Sequence, residues 1–378
     1  MTRVLIATDN HPPRWDGISR FLTEIIPRLD HHITVVSPDY GQYEIDNAEH
    51  IKLPTTSHTV GDYPVPKPSL AAIKDLVQQA DLVFGQTIGP IGSTAGHYAR
   101  GTTTPLIHYT HSIEWQLLPK ATDQHILKRL TKQATRWYSQ WYYNTTDHLI
   151  TPSRAIQETL HYEGITTKTS TAALGVNHDQ FKPVNELTDA ETTQVKTYRD
   201  RLTDDNNTLI GYHGRLAREK DLFTLLRAVK RLKKQRDDFH VVIIGDGLAT
   251  IRDRFEADDH CTVLPAQTDI HRYVQALDVY VTTTLTETTS LSTAEAMACG
   301  KPVIATPAGY IEDYIEHGNN GYLIDFKGHY SLSALLNELI DHKDRRRRIG
   351  REAHKTAKQV FNWDTTAERI NSVLDDHT

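Results

Sequence analysis

The stretch TETTSLSTAEAMACGKPVIAT, residues 286–306, carries two glutamates, Glu287 and Glu295, with seven residues between them. The apolar run before it, VYVTT, reads as a β-strand. Thr288, Thr289 or Ser290 can cap a helix that Gly300 and Pro302 then stop. Glu287 therefore belongs to a loop at the strand's carboxyl end, and Glu295 to the helix, about one and a half turns in. The helix mouth between them offers free N–H groups and a positive dipole end, which suit an anion. Carboxylates accept hydrogen bonds from sugar hydroxyls, and N–H groups hold phosphate. A nucleotide sugar presents a hydroxylated sugar, a diphosphate and a ribose in that order, and the spacing fits that class of ligand.

Two further segments add to this chemistry. In GYHGRLAREKDLFTLLRAV, Arg215 follows a strand and Lys220 lies five residues on, before a helix. Arginine offers planar bidentate donation and lysine a point charge, and the two together suit a diphosphate leaving group. In PPRWDGISRFL, Gly17 between a strand and a helix permits the close backbone approach to phosphate that a side chain would block. The charge runs RLKKQR (231–236) and DRRRR (344–348) read instead as solvated surface.

These residues need a scaffold that brings strand ends together. Apolar β-branched runs (RVLIAT, ITVVSP, DLVFGQ, PLIHYT and HLITPS, then TLIGYHG, HVVIIGDG, CTVLPA, VYVTT, PVIAT and GYLID) alternate with segments of helical periodicity. Such alternation predicts parallel sheets covered by helices on both faces. The alternation pauses over 181–207, a polar and partly helical stretch that reads as a hinge. The 378 residues therefore divide into a domain over 1–185, a linker over 186–206, a second domain over 207–357 and a C-terminal helix over 358–378. In doubly wound sheets ligands bind at the carboxyl ends of the strands, at the switch point.

Composition excludes several classes. With 38% hydrophobic residues and a net charge of −6, the chain has material for real cores and no basic field for nucleic acid. Two cysteines, Cys261 and Cys299, exclude a disulfide framework and a cysteine-rich zinc site. The first residues read as a strand rather than a signal peptide, and no window has the roughly 18 apolar residues of a membrane span. A soluble protein of a reducing, cytoplasmic compartment is expected. A nicotinamide-dependent oxidoreductase would need G-x-G-x-x-G after the first strand, where the chain has TDNHPPRWDG.

Taken together, the motifs resemble the retaining glycosyltransferases of family 4, which have the GT-B fold, over almost the whole length. EAMACGKPVIA follows the paired glutamates; GRLAREKD, IIGDG and GYIEDYIEHGNNGYLI match later segments; YTHSIEW, HLITPSRAIQETL and LGVNHDQFKP match in the first half. The chain departs from the pattern in its hydroxyl-rich ETTSLS. The resemblance implies two Rossmann-like domains facing across a cleft, with the C-terminal helix crossing back to the N-terminal domain.

It also implies roles. Glu287 bonds the donor sugar's hydroxyls, the amides near Thr289, Ser290 and Leu291 hold phosphate, and Glu295 holds the ribose. Arg215 and Lys220 neutralise the departing diphosphate, and Gly17 presents its backbone to it from the other domain. VLPA (263–266) lies near the base. His111 lies against the reacting sugar, with His108, two residues earlier, as its decoy. No side chain serves as nucleophile, and the acceptor hydroxyl attacks the face that the diphosphate leaves.

The chain has no Asp-x-Asp pair of the kind that holds a divalent ion on a diphosphate. Activity without metal or other cofactor is expected. The acceptor is read from the loop around Asp16 and from TETTSLS, which resemble those of enzymes that glycosylate diacylglycerol or phosphatidylinositol lipids. Residues 125–143, HILKRLTKQATRWYSQWYY, mix Lys128, Arg129, Lys132 and Arg136 with five aromatics, either as an interfacial membrane helix does or as a helix with its aromatics in the core and its cations on a solvated face. A hexose transferred from UDP-glucose or GDP-mannose to a membrane lipid, at the inner face of the membrane, is the favoured expectation, with Asp16 on the acceptor side. Transfer to a soluble sugar or polysaccharide, and a non-catalytic nucleotide-sugar-binding protein, are the competing readings.

Overall fold

The computed structural model describes residues 2–14, 16–60, 63–117, 125–204 and 206–378. By contact the chain divides into two units, Met1–Leu174 with Trp363–Thr378, and Gly175–Asn362.

The first unit runs β1 (Arg3–Ala7), α1 (Gly17–Ile25), β2 (His32–Pro38), β3 (Ala48–Leu53), a hairpin of β4 (Thr55–Val60) and β5 (Tyr63–Pro66), and α2 (Leu70–Gln79). It continues with β6 (Leu82–Gly85), α3 (Pro90–Arg100), β7 (Leu106–Tyr109), α4 (Glu114–Leu117), α5 (His125–Tyr143), β8 (His148–Thr151), α6 (Arg154–Tyr162) and β9 (Thr169–Thr171). Seven strands form one parallel sheet in the order β3-β2-β1-β6-β7-β8-β9. Its interior strands are mostly apolar because helices cover both faces; LVFG of β6 and LIHY of β7 are buried at every position. The chain winds outward from β1 in both directions, so the switch point lies between β1 and β6.

The second unit repeats the plan: α7 (Asp189–Leu202), β10 (Thr208–His213), α8 (Leu222–Leu232), β11 (Phe239–Ile244), α9 (Ala249–Glu256), β12 (Cys261–Leu264), α10 (Ile270–Ala276) and β13 (Val279–Thr282). Then come α11 (Leu291–Ala298), β14 (Val303–Ala305), α12 (Ile311–Tyr314), β15 (Tyr322–Leu323), α13 (His329–Asp341) and α14 (Lys343–Val360). The parallel sheet is ordered β12-β11-β10-β13-β14-β15, with its switch point between β10 and β13. Helix α8 buries Leu222, Leu225, Leu226, Val229 and Leu232, the i, i+3, i+4, i+7 set of an amphipathic helix. Each contributes about 1.5–3 kcal/mol relative to exposure.

Three sequence expectations change here. The stretch read as a linker holds α7, opened by a capping box of Thr188 and Glu191. Its Val195 and Leu202 are buried with Val274 and Leu277, so 189–202 is built into the second unit's core. The run DRRRR is not all solvated surface: Arg346 is buried and donates to the carbonyls of Leu339 and Ile340, satisfying the end of α13. In RLKKQR, Arg236 is likewise held, by Asp238 at 2.7 Å and Asp341 at 2.9 Å.

The last helix, α15 (Trp363–Asp375), groups with the first unit. Trp363 is buried beside Phe21, Arg28 pairs with Asp364 at 2.9 Å, and Thr366 donates to the carbonyl of Ala173 at 2.6 Å. Among the described residues no helix is long and apolar enough to cross a membrane.

Candidate active site

The second unit's chemistry collects at its switch point. After β10 the chain turns at Gly214 and runs past Arg215 to Lys220; after β13 it runs past Glu287 into α11. Threonines staple the two loops together. Thr283 Oγ1 donates to the carbonyls of Lys220 at 3.1 Å and Asp221 at 3.0 Å. Thr284 Oγ1 and the Leu285 amide both donate to the carbonyl of Glu219, at 3.2 and 2.7 Å. The outcome is that Lys220 Nζ donates directly to Glu287 Oε2, with both side chains only 17% exposed. At that depth an arriving anion competes with Glu287 for the ammonium, because solvent cannot satisfy both.

The mouth of α11 has the expected polarity but not the expected cap. Ser290 stands at the cap position in the left-handed region, φ 54°, and its hydroxyl bonds that of Thr293 at 2.7 Å rather than a backbone amide. The first amides to find an intrahelical acceptor are those of Thr293 and Ala294, which both reach the Ser290 carbonyl. The amides ahead of them are left to a ligand or water. Thr289 is 1% exposed and its Oγ1 has no hydrogen-bond partner among the described residues. One turn deeper, Glu295 is 2% exposed, and its Oε2 accepts from His213 Nε2 at 2.7 Å. His213 ends β10 and was not singled out from the sequence; a lone histidine at a strand end gives no pattern to read.

Arg215 is placed differently from Lys220. Its guanidinium bonds Glu219 at 2.8 Å, with 71% of the side chain exposed. The structure brings together Lys220 with Glu287, and Glu295 with His213, and leaves Arg215 on the rim.

In the first unit, Asp16 caps α1. Its Oδ1 accepts from the amides of Ile18 at 3.0 Å and Ser19 at 2.9 Å, and its Oδ2 pairs with Arg14 at 3.1 Å. Gly17 opens the helix, and a Cβ added there would meet nothing within 4 Å, so that backbone faces open space. His111 follows β7, and its Nε2 lies 2.9 Å from Gln86 Oε1, at the end of β6. Phe21 of α1 packs on its ring at 4.8 Å. Burial lowers its pKa to about 3, so the imidazole is neutral at ordinary pH and Nε2 carries the proton it gives Gln86. His108 is a core residue, 1% exposed between Tyr142 and Tyr143.

Helix α5 resolves into two faces. Tyr142 and Tyr143 are core, whereas Leu130 is 58% exposed, Trp137 68% and Trp141 43%. Arg129 and Lys132 are exposed beside them, and Arg136 pairs with Glu163 at 2.6 Å. The side chain of Lys128 lies outside the described residues. Asp258, Asp259 and His260 form a cluster of metal-ligand type before β12. Lys233 holds both carboxylates, at 3.0 and 2.6 Å, and the cluster precedes the amino end of the edge strand β12, whereas Lys220 and Glu287 follow the carboxyl ends of the central strands β10 and β13.

Comparison with known proteins agrees with this layout. Residues 15–180 match the model for Glycosyltransferase Family 4, and residues 195–356 that for Glycosyl transferases group 1. The putative glycosyltransferase EpsD of Bacillus subtilis is 25% identical over 200 residues, 52% of this chain and 51% of that relative. The chain thus spans about half the length of that relative. A GDP-mannose-dependent monoacylated alpha-(1-6)-phosphatidylinositol monomannoside mannosyltransferase of Corynebacterium glutamicum is 23% identical, covering 98% of this chain and 97% of its own. The crystal structure of Anabaena HepE in complex with UDP superposes with a TM-score of 0.80 at 20% identity, over 100% of both chains. Two parallel, doubly wound sheets, the paired glutamates around α11 and the two family matches lead to one conclusion: the chain belongs to the group 1 and family 4 glycosyltransferases and has their GT-B fold.

Proposed function

We propose that the chain is a retaining hexosyltransferase that moves a hexose from a nucleotide-diphosphate sugar to a membrane lipid of the diacylglycerol type, forming an α-glycoside. The observation that carries this reading is the Lys220–Glu287 pair at the mouth of α11. In the proposed mechanism the diphosphate takes Lys220 and the free amides near Thr289, Ser290 and Leu291, and Glu287 is released to the sugar hydroxyls. Lys220 and the helix dipole then stabilise the charge that develops on the leaving diphosphate, with Arg215 closing from the rim. Glu295 accepts from the ribose. His111, as a neutral imidazole fixed by Gln86, faces the sugar, and Gly17 and Asp16 serve the diphosphate and the acceptor. No metal ion is needed, since cation and dipole do its work. UDP-glucose or GDP-mannose is the donor; HepE has been solved with UDP-glucose, and the Corynebacterium relative is named for GDP-mannose.

The lipid acceptor draws support from that relative and from the exposed Leu130, Trp137 and Trp141 flanked by cations on α5. This face suits peripheral attachment to an anionic membrane surface. The test is transfer of radiolabel from UDP-glucose and GDP-mannose to a lipid extract in the presence of a chelator. Label is expected in the lipid phase, and Lys220→Ala is expected to lose roughly 100- to 1000-fold in rate. Label appearing only in water-soluble product would overturn the lipid acceptor. Equal rates for Lys220→Ala and wild type would remove Lys220 from the mechanism.

A further inference from the structure

We propose that His213 is a positioning residue for Glu295, and through it sets how strongly the site distinguishes a ribonucleotide from a 2′-deoxyribonucleotide. The proposal rests on the reading of Glu295 as the group that holds the ribose. Strand β10 ends at His213 and α11 places Glu295 in its second turn, and the two side chains meet where the strand end lies against the helix. Nε2 of His213 is 2.7 Å from Oε2 of Glu295, and the side chains are 9% and 3% exposed. Next to a carboxylate, Nε2 carries the hydrogen and donates. The Tyr280 ring stands against the imidazole at 5.3 Å, and its hydroxyl donates to the His213 carbonyl at 3.2 Å, so the ring cannot swing away from the carboxylate without unpacking.

A carboxylate this deep needs a donor to keep one orientation. A vicinal diol is recognised by an acceptor held still, because a rotating carboxyl gives up that bond. His213 supplies that hold without itself acting on the sugar. Its Nδ1 is buried with no hydrogen-bond partner among the described residues. An unsatisfied buried nitrogen is costly, and its retention fits a role in the site rather than in the core.

The experiment compares UDP with 2′-deoxy-UDP and GDP with 2′-deoxy-GDP by calorimetry, with donor KM and kcat measured alongside. Wild type is expected to prefer the ribonucleotide of the accepted pair by roughly ten- to hundredfold, the worth of one hydrogen bond to a charged group. His213→Phe keeps a ring and removes the donor; it is expected to bring the preference near one and to raise donor KM more than it lowers kcat. His213→Gln keeps an N–H donor and is expected to retain most of the preference. If the Phe variant does not fold, His213→Val takes its place, since a β-branched residue suits a strand end. Glu295→Gln separates the possible failures. Preference lost in Glu295→Gln but unchanged in His213→Phe overturns the role of His213 alone. Preference unchanged in both overturns the ribose reading of Glu295, and the proposal with it.

Discussion

Lys220 and Glu287 form an ion pair, and each is needed by a different part of the proposed donor. Two carboxylates and one lysine were legible from their spacing beside a strand end and a helix start. His213 was not legible, nor was Glu219, which holds both Arg215 and, through its carbonyl, the loop after β13. His213 and the Glu219 carbonyl each find a partner more than 60 positions away, and only the fold makes those partners neighbours. Burial also sets a prediction in the first unit. His108 and His111 are each held neutral, with pKa values lowered to about 3 by desolvation. An unfolded histidine takes its proton near pH 6.5, whereas these stay neutral until about 3. Their contribution is therefore intact above pH 6.5 and is lost as pH falls toward 4. Glu114 acts in the opposite sense, its pKa raised to about 7 by burial, so its stability is present below 4.5 and lost as pH rises through 7. Comparing one variant with wild type isolates a single group. For His108→Leu, the loss of stability between pH 7 and pH 5, read from urea midpoints, should shrink by about 1–2 kcal/mol. An unchanged loss would mean that His108 is protonated in the folded state.

The loop after β13 is held by its neighbour more than by its own caps. The amide of Tyr310 donates to the Thr288 carbonyl at 3.0 Å, and the hydroxyl of Tyr314 donates to the Thr289 carbonyl at 3.2 Å. Gly309 sits between them with φ +61°, and a Cβ there would come within 2.0 Å of the Glu287 carbonyl oxygen. Gly309→Ala should therefore push back the segment that carries Glu287. We expect a loss of about 1–3 kcal/mol in stability. We expect up to about 100-fold in turnover, the cost of misplacing a group by about 1 Å. Stability lowered with turnover unchanged would show that the loop's position does not matter to the chemistry. Most elements were legible as buried β-branched runs and amphipathic helices. Those missed have physical reasons. AEHIKL of β3 is an edge strand with an exposed and half-buried alternation, PIGSTAGHYAR of α3 is rich in small residues, and α14 is so charged that only its buried stripe marks a helix.

Over the whole molecule the chain builds two cores and then returns to the first. Periodicity identifies α15 as a helix but cannot say which unit it joins; the family resemblance supplied that, and Trp363 against Phe21 is what fixes it. The polar composition of α7 likewise concealed two buried residues that tie it to the second core. What the family fold adds to the residue readings is a shared location: the adjacent carboxyl ends of β10 and β13, where a helix mouth, a lysine and two carboxylates gather. That location can be tested directly by a crystal structure of the full chain with UDP or GDP bound. The account predicts the ribose hydroxyls at Glu295, the phosphates at the amides near Ser290, and Lys220 turned from Glu287 toward a phosphate oxygen. A nucleotide seated away from Glu295, with the Lys220–Glu287 pair intact, would contradict it.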